Sequence, residues 1–288
     1  TCSVRERAED KLYTRLGEVR DRATGRSEAP IVAVAGCVAQ QEGAALLHHR
    51  LPIDVIVGTQ RLKQLPALVE QARDARRPYV PVRPRVDVSP QDDISFPLGV
   101  AKHSDPIRAL VTIIEGCNDF CAFCVVPYTR GHERMRPAAD ILADVRDAVR
   151  TGRREIHLLG QIVNHYEAPD DPSCDFSRLL ERVSGVPGVV RVRFASPHPR
   201  HVSARLIHAI RDVDAVCKHL HLPAQSGSDR VLAQMRRRYT RDGYLALVQD
   251  LRAAVPVIAL STDIIVGFPG ETDEDFDQTL DLVRKGRF

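Results

Sequence analysis

Short apolar runs rich in β-branched residues recur along this chain, and each is followed by a segment of helical periodicity. IVAVAG from Ile31 precedes a helical stretch through Gln41 to His49, and IDVIVG from Ile53 to Gly58 precedes RLKQLPALVEQARD. That order restricts the chain to parallel sheets, because two parallel neighbours need a crossover long enough to hold a helix. Before the first run, VRERAEDKLYTRLGEV puts Val4, Ala8, Leu12, Leu16 and Val19 on one stripe, an amphipathic helix beginning just after Cys2. Residues 1–75 are therefore expected to form a doubly wound parallel-sheet domain, incomplete because no strand precedes Cys2.

Residues 76–106 contain RRPYVPVRPRVDVSPQDDISFP, too rich in proline for regular structure, and read as a linker. A second alternation fills 107–288, with strands expected at Ala109 to Ile114, Ile156 to Leu159, Val190 to Phe194, Lys218 to Leu222 and Val257 to Val266. Between them, PAADILADVRDAVRTG carries Ile141, Val145 and Val149 on one face and Gly152 as terminator. The last helix opens on the capping residue Thr272 and is expected to bury Phe276, Leu280 and Val283. Such a series builds a TIM-like barrel, here a partial one, with functional loops after each strand.

No apolar run reaches the ~18 residues that span a bilayer, and the first residues are charged where a secretory signal is apolar, so a cytoplasmic protein is expected. The net charge of +3 is too small to mark a nucleic-acid binder, so any such surface must be local. MRRRYTR, Met235 to Arg241, is one candidate, either for phosphate contact or as a solvated helix end. Arg130, Arg134 and Arg136 are another, with an ion-pairing surface as the alternative.

Seven cysteines, an odd number, do not make a complete disulfide framework. Three of them lie together in EGCNDFCAFC: Cys117, Cys121 and Cys124 follow the first expected barrel strand directly. Three thiolates on one loop can hold three irons of a [4Fe–4S] cluster and leave the fourth open to a ligand. A Cys₃His zinc site that recruits His132 is the alternative, although structural zinc usually uses two paired C-x₂-C knuckles. Cys174 and Cys217 match no motif and read as free thiols.

The C-x₃-C-x₂-C spacing with aromatic Phe123 before its last thiol resembles the radical S-adenosylmethionine (SAM) superfamily. TCSVRERAEDK, GCVAQ, VVPYTRGHERMRP, LLGQIVNHY, SPHPR, HLPAQSGSDRVLAQMRRRYTR and TDIIVGFPGETDEDF further resemble its methylthiotransferase family, over nearly the whole chain. The resemblance implies a (β/α)6 radical SAM barrel, partial here, with SAM chelating the open iron and an electron from the cluster generating a 5′-deoxyadenosyl radical. It implies a second [4Fe–4S] cluster for sulfur donation, on Cys2, Cys37 and a third cysteine in a leading segment that this sequence lacks, as it lacks the end of the barrel and an RNA-binding TRAM domain. One SAM would methylate sulfur at that second cluster, and another would generate the radical.

The wording is nearest to family members that methylthiolate an adenosine beside the anticodon, so a tRNA anticodon stem-loop and an electron donor such as flavodoxin are the implied partners of a monomer. The rivals are the related enzymes that modify an aspartate of a small-subunit ribosomal protein and, in another class, a cluster-binding electron-transfer module.

Gln161 and Asn164 after the second barrel strand, His198 and Arg200 after the third, and Gln225 and Ser226 after the fourth are candidate contacts to SAM or substrate, as is Phe123. Gly116 either lets the backbone wrap the cluster or serves as a turn glycine. The GFPGET loop, Gly267 to Thr272, either passes the cofactor or caps the last helix. His219 and His221 share one side of a strand, as pocket lining or as core histidines.

Overall fold

The computed structural model describes residues 6–23, 29–49, 51–75, 85–88 and 105–288. Cys2 and most of the expected linker lie outside the described residues. The chain divides into two compact units, Thr1–Ile94 with Val125–Gly131, and Ser95–Cys124 with His132–Phe288.

In the first unit, helix α1 (Glu6–Ala23) precedes β1 (Ala33–Ala35), α2 (Cys37–Glu42) and a 3₁₀ turn, Gly43–His49. β2 (Val55–Val57), α3 (Leu65–Ala75) and β3 (Arg85–Asp87) follow, and the strands form one parallel sheet in the order β1-β2-β3. Strand side chains alternate between faces. Val34 and Ile56 accordingly pack with Leu16, Ala39 and Leu46, whereas Val55 and Val57 pack with Ala72, Leu65 and Leu68. Two apolar clusters on one sheet are the mark of a doubly wound layer. α4 (Val126–Arg130) belongs to this unit, where Thr59 Oγ1 donates to Thr129 O at 2.6 Å and Gln60 Nε2 to Arg130 O at 2.8 Å.

The second unit opens with β4 (Arg108–Thr112) and a short hairpin of β5 (Ile114–Glu115) and β6 (Arg134–Met135). α5 (Ala138–Arg150), β7 (Glu155–Leu159), α6 (Phe176–Ser184), β8 (Arg191–Phe194) and α7 (Ala204–Asp212) continue it. After β9 (His219–His221) come α8 (Asp229–Gln234) and α9 (Arg241–Ala254), and last β10 (Ala259–Ser261) and α10 (Asp273–Gly286). β4, β7 and β8 pair in parallel, β9 pairs with β10 in parallel, and a parallel bridge from Val192 to Val216 joins the two sets. This is the expected partial barrel, five strand-and-helix steps among the described residues.

Ala109, Val111, Ile156, Leu158 and Val192 point to the helix layer, where Ile141, Val145, Leu179, Leu180, Leu206 and Ile210 bury them. The other strand face carries Leu110, His157 and Arg193 in register. Ser203, Ser228, Thr240 and Thr272 cap α7 to α10, each side chain accepting a backbone N–H of the first turn. The caps end each loop at a defined residue and so position the loops at the barrel mouth.

Two expectations change. The predicted strand Val257 to Val266 contracts to Ala259–Ser261, leaving Val257 78% and Val266 62% exposed, because its pairing with β9 ends at His221. α10 starts on Thr272, with a capping box to Asp275, but it buries Asp275, Thr279, Leu282 and Gly286 rather than Phe276, Leu280 and Val283. Phe276 and Leu280 are half-buried and Val283 is exposed. The reason is polar: the turn before α8 lies on this face, with Ser228 Oγ donating to Asp275 Oδ1 at 2.5 Å and Gly227 N to Thr279 Oγ1 at 2.9 Å. Among the described residues, no helix is long and apolar enough to cross a membrane.

Candidate active site

β5 ends at Glu115, and Gly116 takes φ +78°, the left-handed region that favours glycine. The backbone turns there into the loop of Cys117, Cys121 and Cys124, in which Phe120 is also left-handed at φ +46°. Cys117 is buried, Cys121 and Cys124 are half-buried, and Cys124 N donates to Cys121 O at 3.0 Å. Burial, aided by the charges of Asp119 and the two sister thiols, pushes the Cys117 thiol up to about 11, so its thiolate needs a compensating positive centre.

Among the described residues, the only three metal-capable side chains with ligand atoms all within 4.8 Å of one another are Asp119, His198 and His201. A tetrahedral zinc with bonds of ~2.3 Å would hold its sulfurs about 3.8 Å apart. His132, the fourth ligand of the zinc alternative, has Nδ1 at 3.1 Å from Asn118 Oδ1. Three free thiols on one loop, with His132 held by Asn118, fit the three-cysteine side of a [4Fe–4S] cluster, whose cysteines bind separate irons.

The loops after β7 and β8 form the neighbouring rim. Asn164 Nδ2 donates to His198 O at 2.9 Å, and His198 N donates to Asn164 Oδ1 at 2.8 Å, so one buried amide clamps the two loops together. His198 Nδ1 accepts Arg200 N at 3.2 Å, which assigns the ring proton to Nε2. Nε2 faces Asp119 Oδ2 at 3.5 Å, and Arg200 Nη1 faces Asp119 Oδ1 at 3.5 Å. A protonated Nε2 cannot ligate a metal, so Asp119, His198 and His201 form a polar rim rather than a cation site. Burial, with Arg237, His201 and Arg200 nearby, pushes His198 down to about 2 and keeps it neutral.

His165 stacks on His201 at 4.2 Å between ring centres, and its Nδ1 meets Glu133 Oε2 at 2.9 Å. Burial raises the Glu133 carboxyl against the pull of His165. A cavity of about 260 Å³ beside this rim is lined by Asn164, His165, Arg200, His201 and Leu206, among others.

The residues singled out from sequence divide by their surroundings. Gln161, in the loop after β7, keeps a buried Oε1 without a hydrogen-bond partner among the described residues, and so offers a free acceptor. Phe123 is 40% exposed on the cysteine loop. Gln225 takes φ +67° and its backbone pairs with Asp263 O and Ile265 N, both at 2.9 Å, fixing the loop after β9. Asn164 and Ser226, expected at the cofactor, are engaged elsewhere: Asn164 in the clamp, and Ser226, fully buried, with Ser228 N at 3.1 Å and Thr279 Oγ1 at 3.4 Å. His221 meets Ser261 Oγ at 2.9 Å and Asp263 Oδ2 at 3.2 Å, which ties β9 to β10. Cys37 stands after β1 as the first residue of α2 in the other unit. Cys174 is buried and Cys217 half-buried, both free.

The arginines change most. Arg134 pairs with Glu115 at 3.3 Å, and buried Arg136 pairs with Asp144 at 2.5 Å, so both follow the ion-pairing alternative. Within MRRRYTR, Arg241 pairs with Asp281, and Arg237 is 7% exposed with Nη1 at 3.3 Å from Cys121 Sγ. The run is not a solvated end as a whole: of its four arginines Arg236 and Arg238 are exposed, Arg237 is buried and Arg241 half-buried. Asp119 was not among the residues singled out from sequence; its place between Cys117 and Cys121 was the one signal available for it. No sequence signal separates Arg237 from its neighbours.

The comparisons agree with this geometry. The Radical SAM superfamily matches residues 111–283, and the "Uncharacterized protein family UPF0004" matches residues 1–58. A tRNA-2-methylthio-N(6)-dimethylallyladenosine synthase of Syntrophotalea carbinolica is 43% identical over 288 residues, which cover 100% of this chain and 65% of that protein. A protein of the same name from Moorella thermoacetica is also 43% identical, with 100% and 64% covered. The chain thus spans somewhat less than two thirds of the length of these relatives. Among solved structures, the cobalamin-dependent SAM radical enzyme OxsB with aqua-cobalamin and SAM bound aligns at TM-score 0.67 and 14% identity, over 98% of this chain and 42% of that chain. The radical SAM methyltransferase TsrM from Kitasatospora setae, with tryptophan and a SAM analogue, aligns at 0.65 and 15% identity over 94% and 57%. These two likenesses concern the fold. With the superfamily match running from β4 into α10, over more than half of the residues, and the three-thiol loop at the barrel mouth, this chain belongs to the radical SAM superfamily.

Proposed function

We propose that this chain carries the catalytic part of a methylthiotransferase that places a methylthio group on C2 of N(6)-dimethylallyladenosine next to the tRNA anticodon. The observation that carries the reading is the three-thiol loop at the mouth of a parallel barrel, in a chain 43% identical over its full length to proteins of that name. Cys117, Cys121 and Cys124 would hold a [4Fe–4S] cluster, which when bound supplies one electron to SAM. Gln161 Oε1 and the Asp119 carboxylate offer buried acceptors, and Arg200 a donor, to a ligand that carries both an ammonium and a carboxylate. The Asn164 clamp holds Arg200 and His198 on a fixed rim, so little reorganisation is needed when a ligand arrives. Cys37, with Cys2, would serve a second cluster that donates sulfur. A tRNA anticodon stem-loop is the substrate, and a flavodoxin-type protein is the electron source.

Mass spectrometry of tRNA from cells with and without the gene tests the substrate. Loss of the methylthio-adenosine signal is expected, and an unchanged signal overturns the assignment. Anaerobic reconstitution tests the chemistry: SAM should alter the electron paramagnetic resonance (EPR) spectrum of the reduced cluster, whereas an indifferent spectrum would point to an electron-transfer module.

A further inference from the structure

We propose that Arg237 is a positioning residue for the cluster, supplying a fixed positive charge and an N–H donor to the Cys121 sulfur that together raise the cluster's reduction potential. The inference rests on the radical SAM reading of the cysteine loop. It begins with a charge that lacks a carboxylate partner: Arg237 is 7% exposed, and among the described residues its guanidinium meets Tyr239 Oη and Cys121 Sγ, neither of them a carboxylate. A buried guanidinium without an anion is costly, so a fold that keeps one must provide negative charge next to it. The nearest sulfur does so. Nη1 lies 3.3 Å from Cys121 Sγ, and a cysteine that ligates iron is a thiolate.

The arrangement is built rather than incidental. Arg237 Nε donates to Tyr239 Oη at 3.2 Å, and the Tyr239 hydroxyl donates in turn to Ala224 O at 2.9 Å, in the loop after β9. The guanidinium carbon lies 5.3 Å from the centre of the Tyr239 ring. The main chain is tied as well, with Ala122 N donating to Met235 O at 3.1 Å and Arg237 N to Leu232 O at 2.9 Å. Arg236 and Arg238 on either side take φ +60° and +55°, a conformation that side chains disfavour and that here turns Arg237 inward while its neighbours stay outside.

One-electron reduction adds a negative charge to a cluster already held by three thiolates. A fixed cation and a hydrogen bond to a ligand sulfur stabilise the reduced form more than the oxidised one. Tyr239 sets the guanidinium's direction, so it acts through Arg237.

The test uses the full chain, reconstituted anaerobically, with iron content and an EPR-monitored redox titration as readouts. Arg237→Gln should hold its iron and show at least a tenfold lower ratio of reduced to oxidised cluster at fixed poise, a fall of about 59 mV for a one-electron couple. Arg237→Lys, which keeps the charge, should recover most of that ratio. Tyr239→Phe, which removes only the anchor, should shift it part of the way. Potentials equal to wild type in Arg237→Gln and Tyr239→Phe, at full iron content, would overturn the inference. Should Arg237→Gln lose its iron, Tyr239→Phe decides alone: a shift in the same direction supports the inference and an unchanged potential refutes it. Failure of the radical SAM reading looks different, as a wild-type cluster that does not respond to SAM.

Discussion

Replacing Asn164 by alanine removes the side chain whose amide hydrogen-bonds the β7 loop to the β8 loop. The amide is 8% exposed and meets both backbone groups of His198, at 2.8 and 2.9 Å. Each buried backbone group left without a partner costs ~1–3 kcal/mol, and a water entering the vacated volume would return part of that. The expected loss is therefore about 2–4 kcal/mol, a fall in the calorimetric Tm of roughly 4–16 °C for a unit of this size. Hydrogen exchange should localise it, with amides of 195–201 losing protection while those of α5 and β7 keep theirs. Asn164→Asp is the control. It can still accept from His198 N, but at neutral pH it sets a carboxylate oxygen against His198 O, and acid should partly restore stability by giving that oxygen a proton to donate. Asn164→Ala with unchanged exchange at 195–201 and a Tm within ~2 °C of wild type would refute the clamp.

Three further outcomes are expected. His198 is neutral when folded, pushed down to about 2, while the unfolded ring binds a proton below pH ~6.5, so acid favours unfolding. From pH 7 to 5 this costs wild type about 2 kcal/mol that His198→Gln does not lose, and parallel pH profiles of urea unfolding for the two proteins would disprove it. A Cβ on Gly227 would meet Gln278 O at 2.4 Å, so Gly227→Ala should cost ~1–3 kcal/mol by thermal unfolding, and a neutral result would mean that α10 shifts freely. Alanine at Cys117, Cys121 or Cys124 should each remove about four irons per chain from the reconstituted protein, and retention of iron in all three variants would place the cluster elsewhere.

Much of the fold was legible because the signals are local. The runs from Ala109 and Ile156 became β4 and β7 within a residue or two, since a strand in a parallel layer buries a continuous apolar face wherever it pairs. Strand ends were less legible: Val257 and Val266 look like strand residues, but pairing stops where the neighbouring strand turns away. The face of α10 was misread for a related reason. Periodicity counts apolar residues, and the buried side of this helix carries Asp275 and Thr279, which tolerate burial only because Ser228, Gly227 and Arg230 partner them.

The candidate site divides in the same way. Three thiols spaced for iron lie within one loop, so the sequence alone determined the cluster chemistry, together with the strand-and-helix alternation that fixes a parallel barrel. The meeting of Asp119 with His198 and Arg200, the Asn164 clamp, and the selection of Arg237 from a run of arginines to face Cys121 were decided only by tertiary structure. Each depends on residues far apart in the chain that the closing barrel brings within hydrogen-bond or ion-pair reach, and neither charge nor periodicity along the sequence carries that distance.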